Sequence, residues 1–257
     1  MKKFLAIMLA ALMVLALVSC GGTATAGKDS EYVTGKGKLV VGITDFEPMD
    51  FKDSNGKWIG FDADLAAAFA KELGVEVEFA EIEWESKLEE LNGKNIDCVW
   101  NGMTLTDEVK AGMETSNAYI NNAQIIVVPA EKAAEYQTAE ACKGLQFAVE
   151  KGSAGADAAK ENGFSFTEVT AQSDALMEVA AGTSDAAIID SLMAGAMVGE
   201  GTGYTQLTTT AKLTTEEYGV GFRKGSDLAA KLNEFFANNQ ELIKELAVKY
   251  GVQEALI

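Results

Sequence analysis

Leu39-Val40-Val41-Gly42-Ile43-Thr44 is the stretch from which the architecture unfolds. Five apolar or small residues in a row, rich in β-branched side chains, suit a short strand covered on both faces in a parallel sheet. Downstream, 62–73 reads as a helix, with acids at its start, a Leu65/Phe69/Leu73 stripe and Gly74 as its stop. Residues 75–79 alternate apolar and acidic, as a strand with one solvated face does. A helix at 86–91, a strand at 96–101 and a strand at 124–128 closed by Pro129 follow. The pattern then restarts: strand 145–150, a Gly152-Ser153-Ala154-Gly155 turn, a helix through Lys160, strand 164–169, helix 173–181, strand 185–190 and a further helix. Strand 218–223 and two helices finish the chain, with Leu228, Leu232, Phe235 and Phe236 on one face. Alternating strands and helices predict parallel sheets covered on both sides, and two such series of about 90 residues predict two lobes.

Composition removes whole classes of function. The 257 residues carry 21 Lys plus Arg against 39 Asp plus Glu, a net charge of −18, with Arg223 the single arginine and no histidine. A chain this acidic has no basic face for nucleic acid. Without histidine there is no Ser-His-Asp or Cys-His catalysis and no His-containing zinc site. The hydrophobic share of 48% is that of an ordinary globular protein. No cofactor or metal is called for.

At the N-terminus, Lys2 and Lys3 precede an apolar run from Phe4 to Val18 that meets Ser19 and Cys20. A basic start and about 15 apolar residues read as a secretory signal, short for a membrane span. Leu17-Val18-Ser19-Cys20 resembles the bacterial lipobox, so residues 1–20 are expected to be a lipoprotein signal and Cys20 the diacylated, membrane-anchoring residue. Processing removes two lysines and no acid, taking the net charge to −20. Residues 21–37, rich in Gly, Thr, Ala and Lys, are expected to be a flexible tether. Cys98 sits in a strand as a small buried hydrophobe, and Cys142 lies in a more polar segment; an exported protein permits their pairing.

In open parallel sheets, ligands bind beyond the carboxyl ends of the strands. Here those ends deliver Thr44-Asp45-Phe46-Glu47, Asn101-Gly102-Met103-Thr104, Glu150 with Gly152-Ser153-Ala154, and Asp190. Gly152-Ser153 and Asp190 could each be a simple helix cap; aromatic, hydroxyl, amide and carboxylate groups converging on two lobes also fit a ligand site.

From Lys38 to about Gly251 the chain resembles family 3 of the bacterial extracellular solute-binding proteins, the polar amino-acid capture subunits of ABC importers. The resemblance lies in residues 39–44, Gly60-Phe61-Asp62-Ala63-Asp64-Leu65, Asn101-Gly102-Met103-Thr104-Leu105-Thr106 and residues 218–225. It implies a type II periplasmic-binding-protein fold: two doubly wound α/β lobes joined by a two-strand hinge, with lobe 1 at 38–126 plus 216–257, lobe 2 at 127–215, and hinge strands near 124–128 and 214–218. It further implies that Phe46 and Phe61 sandwich the ligand, and that the Gly102 backbone and Thr104 hydroxyl meet its polar backbone atoms. Ser153 and Ala154 resemble the turn that binds a carboxylate, Asp190 the acid that pairs with the α-ammonium, and Asn101 and Glu150 the contacts to the ligand side chain. Trp84 has a near equivalent in the family, but buried packing explains it equally well.

One departure stands out. Where the family places an arginine that forks onto the ligand carboxylate, this chain has Val109, and no neutral side chain replaces a bidentate Arg–carboxylate pair. Lys110, Lys151 and Arg223 are poor substitutes by position. A cavity that keeps Asp190 and Glu150 while losing a cation is expected to favour a cationic or polar amino acid, or an amine without a free carboxylate, over an acidic one. The expected role is therefore an extracytoplasmic, lipid-anchored, monomeric solute-binding subunit, not an enzyme, that closes on a small amino acid or amine and hands it to a membrane permease. The alternatives are a ligand sensor for a separate membrane receptor and an enzyme of the cyclohexadienyl dehydratase type.

Overall fold

The computed structural model describes residues 28–257; the expected export signal, Cys20 and the part of the expected tether up to residue 27 lie outside the described residues. Among the described residues no helix is long and apolar enough to cross a membrane. The first half of the chain forms strands β1 (Lys38–Ile43), β2 (Phe51–Lys52), β3 (Trp58–Ile59), β4 (Glu76–Glu81), β5 (Cys98–Thr104), β6 (Glu114–Thr115) and β7 (Ile120–Asn122). It is followed by β8 (Gln124–Pro129), β9 (Gln146–Glu150), β10 (Ser165–Val169), β11 (Ala186–Asp190), β12 (Leu207–Lys212) and β13 (Glu216–Phe222).

These strands make two main sheets. The first has the order β4-β1-β5-β13-β6, with β7 also paired to β13; the second has the order β10-β9-β11-β8-β12. In each, the first three strands of the order run parallel, and the next is antiparallel to its inner neighbour. The restart at residue 145 is therefore a second copy of one winding pattern. Apolar clusters cover both faces of both sheets. The result is the two-lobed, doubly wound α/β architecture expected from the alternating elements.

The helix Phe61–Glu72 shows how pattern becomes packing. Phe61, Leu65 and Phe69 recur every four residues and are all buried. Phe69 meets Trp100 of β5 and Phe235 of the C-terminal helix Leu228–Asn238 with ring centroids 6.3 and 5.5 Å apart. Burying each such aromatic or leucine contributes about 1.5–3 kcal/mol. Cys98 and Cys142 are both buried and unpaired, in keeping with small hydrophobic side chains.

Two boundaries differ from the sequence reading. Residues 29–36 fall within the expected tether, but Asp29–Lys36 is a helix. It offers one fully buried apolar side chain, Val33, so polar groups dock it instead. Arg223 Nη2 lies 2.9 Å from Asp29 Oδ1, and Ser30 donates to Asp227 from its backbone N–H at 2.9 Å and its hydroxyl at 2.6 Å. The expected lobe boundary at 126/127 falls inside β8, all of which belongs to the second sheet. The chain crosses at Ala123 and returns between Lys212 and Glu216. The two crossings are bonded to each other: Gln124 N–H donates to Thr214 Oγ1 at 2.8 Å and Leu213 N–H to the Gln124 carbonyl at 2.8 Å. Expected hinge strand 124–128 is thus a sheet strand of the second lobe, and the hinge proper is shorter.

Candidate ligand-binding cleft

The carboxyl ends of β1, β5, β9 and β11 meet around a cavity of about 290 Å³ between the two sheets. The first lobe supplies Thr44, Phe46, Trp84, Thr104 and a run of apolar side chains; the second supplies Glu150, Ser153, Ala154, Gln172 and Asp190. The lobes already touch at the rim. Lys87 Nζ donates to the Gly152 carbonyl at 3.0 Å and Lys151 pairs with Glu85 at 2.8 Å. Gly152, at φ +70°, comes so close that a Cβ there would lie 2.9 Å from Glu85 Cα. A side chain at this position would push the lobes apart.

Of the nine residues anticipated for the ligand, eight line the cavity and one does not. Phe61 is fully buried in the apolar core, its ring centroid 6.2 Å from that of Tyr119. Its place as a second aromatic wall is taken by Trp84, which follows β4 and faces the cavity with Phe46. Phe46 is positioned by a tight turn in which its N–H donates to the Asp50 carbonyl at 2.7 Å. Its ring lies over Gly102, whose φ is +54° and where a Cβ would sit 2.5 Å from Phe46 Cε1.

Several of the lining groups are already committed. Asn101 accepts from Thr44 N–H and Oγ1 at 2.9 and 2.7 Å and donates to the Thr44 carbonyl at 3.1 Å and Asp50 Oδ2 at 2.8 Å. That exhausts its amide, so Asn101 fastens the ends of β1 and β5 rather than offering hydrogen bonds to a ligand. The Gly102 N–H is likewise spent on Asp62 Oδ2 at 2.7 Å. Thr104 donates its hydroxyl to Glu216 Oε1 at 2.9 Å. Ser153 is a helix N-cap: its Oγ accepts from Ala156 N–H at 3.2 Å and donates to the Glu150 carbonyl at 2.7 Å. Ala154 opens the helix Ala154–Asn162 at the cavity wall.

Asp190 is different. It precedes the helix Ser191–Met197, yet its side chain makes no cap bond. The carboxylate instead accepts from the side chains of Asn122, Gln124, Gln172 and Tyr218, which come from both lobes. Three of these meet Oδ1 and one meets Oδ2, leaving acceptor capacity on Oδ2. Glu216, absent from the sequence-based expectation, is bound to the same amides, accepting from Asn122 at 2.7 Å and Gln124 at 2.8 Å. A strand-opening acid in a Glu216-Glu217 pair carries no visible signal until the hinge brings it beside Asp190.

Burial and nearby negative charge make Asp190 and Glu150 reluctant to ionise. Burial pushes Asp190 up to about 7, with the Glu216 charge adding to it. Burial also pushes Glu150 up to about 8, assisted by the Asp190 charge and opposed by Lys87. Below the ordinary glutamate value of 4.5 both folded and unfolded chains hold the Glu150 proton; between 4.5 and about 8 only the folded chain does. Unfolding then releases a proton, so stability falls as pH rises through that window, by up to about 1.4 kcal/mol per pH unit for this group. Glu150→Gln should flatten part of the decline in melting temperature between pH 5 and pH 8. An unchanged slope would mean that Glu150 titrates normally.

A family model for bacterial extracellular solute-binding proteins, family 3, matches residues 39–253. The chain belongs to this family. Among family 3 relatives, it is 32% identical over 239 residues to the arginine-binding extracellular protein ArtP of Bacillus subtilis, covering 91% of each chain. Its fold superposes on an ABC uptake transporter substrate-binding protein of Streptococcus pneumoniae with bound histidine at a TM-score of 0.80 and 28% identity, covering 88% of this chain and 97% of that one. It also matches an ancestral amino acid-binding protein described as a precursor of cyclohexadienyl dehydratase, at a TM-score of 0.78 and 31% identity, covering 86% and 98%. The cations that line the cavity are Lys87 and Lys160. Val109 lines it, Lys151 is tied to Glu85, and Arg223 lies away from it, bonded to Asp29 and Asp97.

Proposed function

We propose that this protein is the extracytoplasmic capture subunit of an ABC importer, lipid-anchored through Cys20, which closes its lobes over a polar or cationic amino acid or related amine and delivers it to a membrane permease. The observation that carries the reading is the pair of buried acids, Glu150 and Asp190, facing an amino-acid-sized cavity between two lobes. A ligand ammonium there would be held in a dry site by groups that both lobes orient, so binding and closure would be one event. The relatives' names support the solute class: an arginine-binding, a probable histidine-binding and an L-cystine-binding protein are each similar to this chain.

Calorimetric titration with the twenty amino acids and common polyamines tests the proposal. The expected result is stoichiometric heat with cationic or polar solutes and none with glutamate or aspartate. Tight binding of the acidic amino acids alone would overturn the assignment of solute class. The enzyme reading draws on Glu150, a carboxylic acid still protonated near neutral pH, which is what a general acid requires. A prephenate-like acid would enter a cavity lined by several carboxylates, and incubation with one is expected to yield no product.

A further inference from the structure

The cavity is two-sided. Its first-lobe wall presents Trp84, Leu88, Met103, Val109 and Met113, members or neighbours of one apolar cluster. Its second-lobe wall presents Glu150 and Asp190, both nearly inaccessible to solvent. An amino acid needs both an acceptor for its ammonium and a partner for its carboxylate. The first is built from two buried acids; for the second, Val109 stands where the family resemblance implied an arginine.

The lining cations are Lys87 and Lys160. Lys87 Nζ donates to the Trp84 carbonyl at 3.2 Å and the Gly152 carbonyl at 3.0 Å. Lys160 is exposed and paired with Asp157 at 3.3 Å. Backbone N–H groups at the start of the helix Ala154–Asn162 are the remaining anion partners, but Ser153 Oγ is already spent within that turn. Glu150 precedes the turn and Asp157 follows it. A ligand carboxylate placed there would lie beside Asp157, and the two lining cations are already engaged, Lys160 by Asp157 and Lys87 by the Trp84 and Gly152 carbonyls; the cost of such a placement rises as water is excluded.

Building on the capture role proposed above, we infer that the preferred ligand is an amine with an apolar body and no carboxylate, its cationic end on Glu150 and Asp190 and its body against Trp84, Val109 and Met113. Val109 is then a specificity-determining residue, because it sets an apolar side chain in that wall where an arginine would offer a carboxylate its partner.

Matched pairs that differ only by the carboxylate test this directly. Calorimetric titrations would compare agmatine with arginine, cadaverine with lysine, histamine with histidine and tyramine with tyrosine. The inference expects the amine of the best-binding pair to bind at least tenfold more tightly than its amino acid. An amino acid that binds as tightly as its amine, or more so, overturns the inference while leaving the capture role standing. Absence of heat from every member of every pair overturns the inference, and the capture role falls with it only if the twenty amino acids and the polyamines give none either. Val109→Arg adds a cation at the apolar wall and is expected to move the amine-to-amino-acid affinity ratio at least tenfold toward the amino acid. A ratio unchanged in a variant that melts normally would count against Val109 as the determinant. The wild-type pairs decide the ligand class even if that variant does not fold.

Discussion

Asp190→Ala is expected to weaken binding of a cationic ligand by about 2–5 kcal/mol, the usual cost of truncating one member of a buried, hydrogen-bonded charge pair. In affinity this is roughly 30-fold to several thousand-fold. The carboxylate has two roles in the folded protein. It would meet the ligand ammonium, and it gathers Asn122, Gln124, Gln172 and Tyr218 from both sides of the hinge. Removing it leaves the Gln172 amide and Tyr218 hydroxyl without their acceptor and Asn122 and Gln124 with Glu216 alone, so the alanine variant should also melt at a lower temperature. Asp190→Asn separates the two effects, since it preserves size and part of the hydrogen bonding while discarding the charge. If the charge holds the ligand, the asparagine variant should retain most of its stability and lose most of its affinity. Full affinity in both variants would return Asp190 to a purely structural role in the hinge.

The fold was legible because its signals are local and repeated. A five-residue apolar strand, a helix with a four-residue stripe and a Gly stop recur in order through both halves, and the sheets assemble in that order. The carboxyl-end rule located the cleft as well: eight of the nine expected residues line it. Phe61 fails for a reason the sequence itself contains. It lies four and eight residues before Leu65 and Phe69, on the same helical face, and therefore faces the core. Trp84, by contrast, follows the carboxyl end of a strand, where the same rule places ligand-facing residues.

What could not be read was the commitment of polar groups across long sequence distances. Asn101 lies at the predicted place, yet its amide is consumed by Thr44 and Asp50, more than fifty residues upstream. Glu216 is brought to Asp190 and Asn122 only when the chain recrosses the hinge. The helix Asp29–Lys36 hid for the same reason. Its own residues bury little apolar surface, and the partners that dock it lie almost two hundred positions away.

That last dependence gives the largest expected effect on stability. Arg223 fills a buried slot with one guanidinium: Nε and Nη2 take Asp29 at about 3 Å, Nη2 takes Asp97 at 3.1 Å, and Nη1 donates to the Ile96 carbonyl at 2.7 Å. Asp97 is fully buried, and it also accepts from Val40 N–H at 2.8 Å and pairs with Lys36 at 2.6 Å. The cluster therefore joins three chain segments: the N-terminal helix, the entrance to β5 and the end of β13. Truncating one member of a buried ion pair typically costs 3–5 kcal/mol, because the remaining charge is left without its counterion. At about 2–4 °C per kcal/mol for a protein of this size, Arg223→Ala should lower the melting temperature by on the order of 10 °C. Arg223→Lys restores the charge but not the planar fork and should recover only part of the loss. The ligand cavity lies elsewhere, so affinity measured well below the melting transition should be unchanged. A melting temperature within 2 °C of wild type, roughly 1 kcal/mol or less, would show that the Arg223 contacts to Asp29 and Asp97 add little to the first lobe.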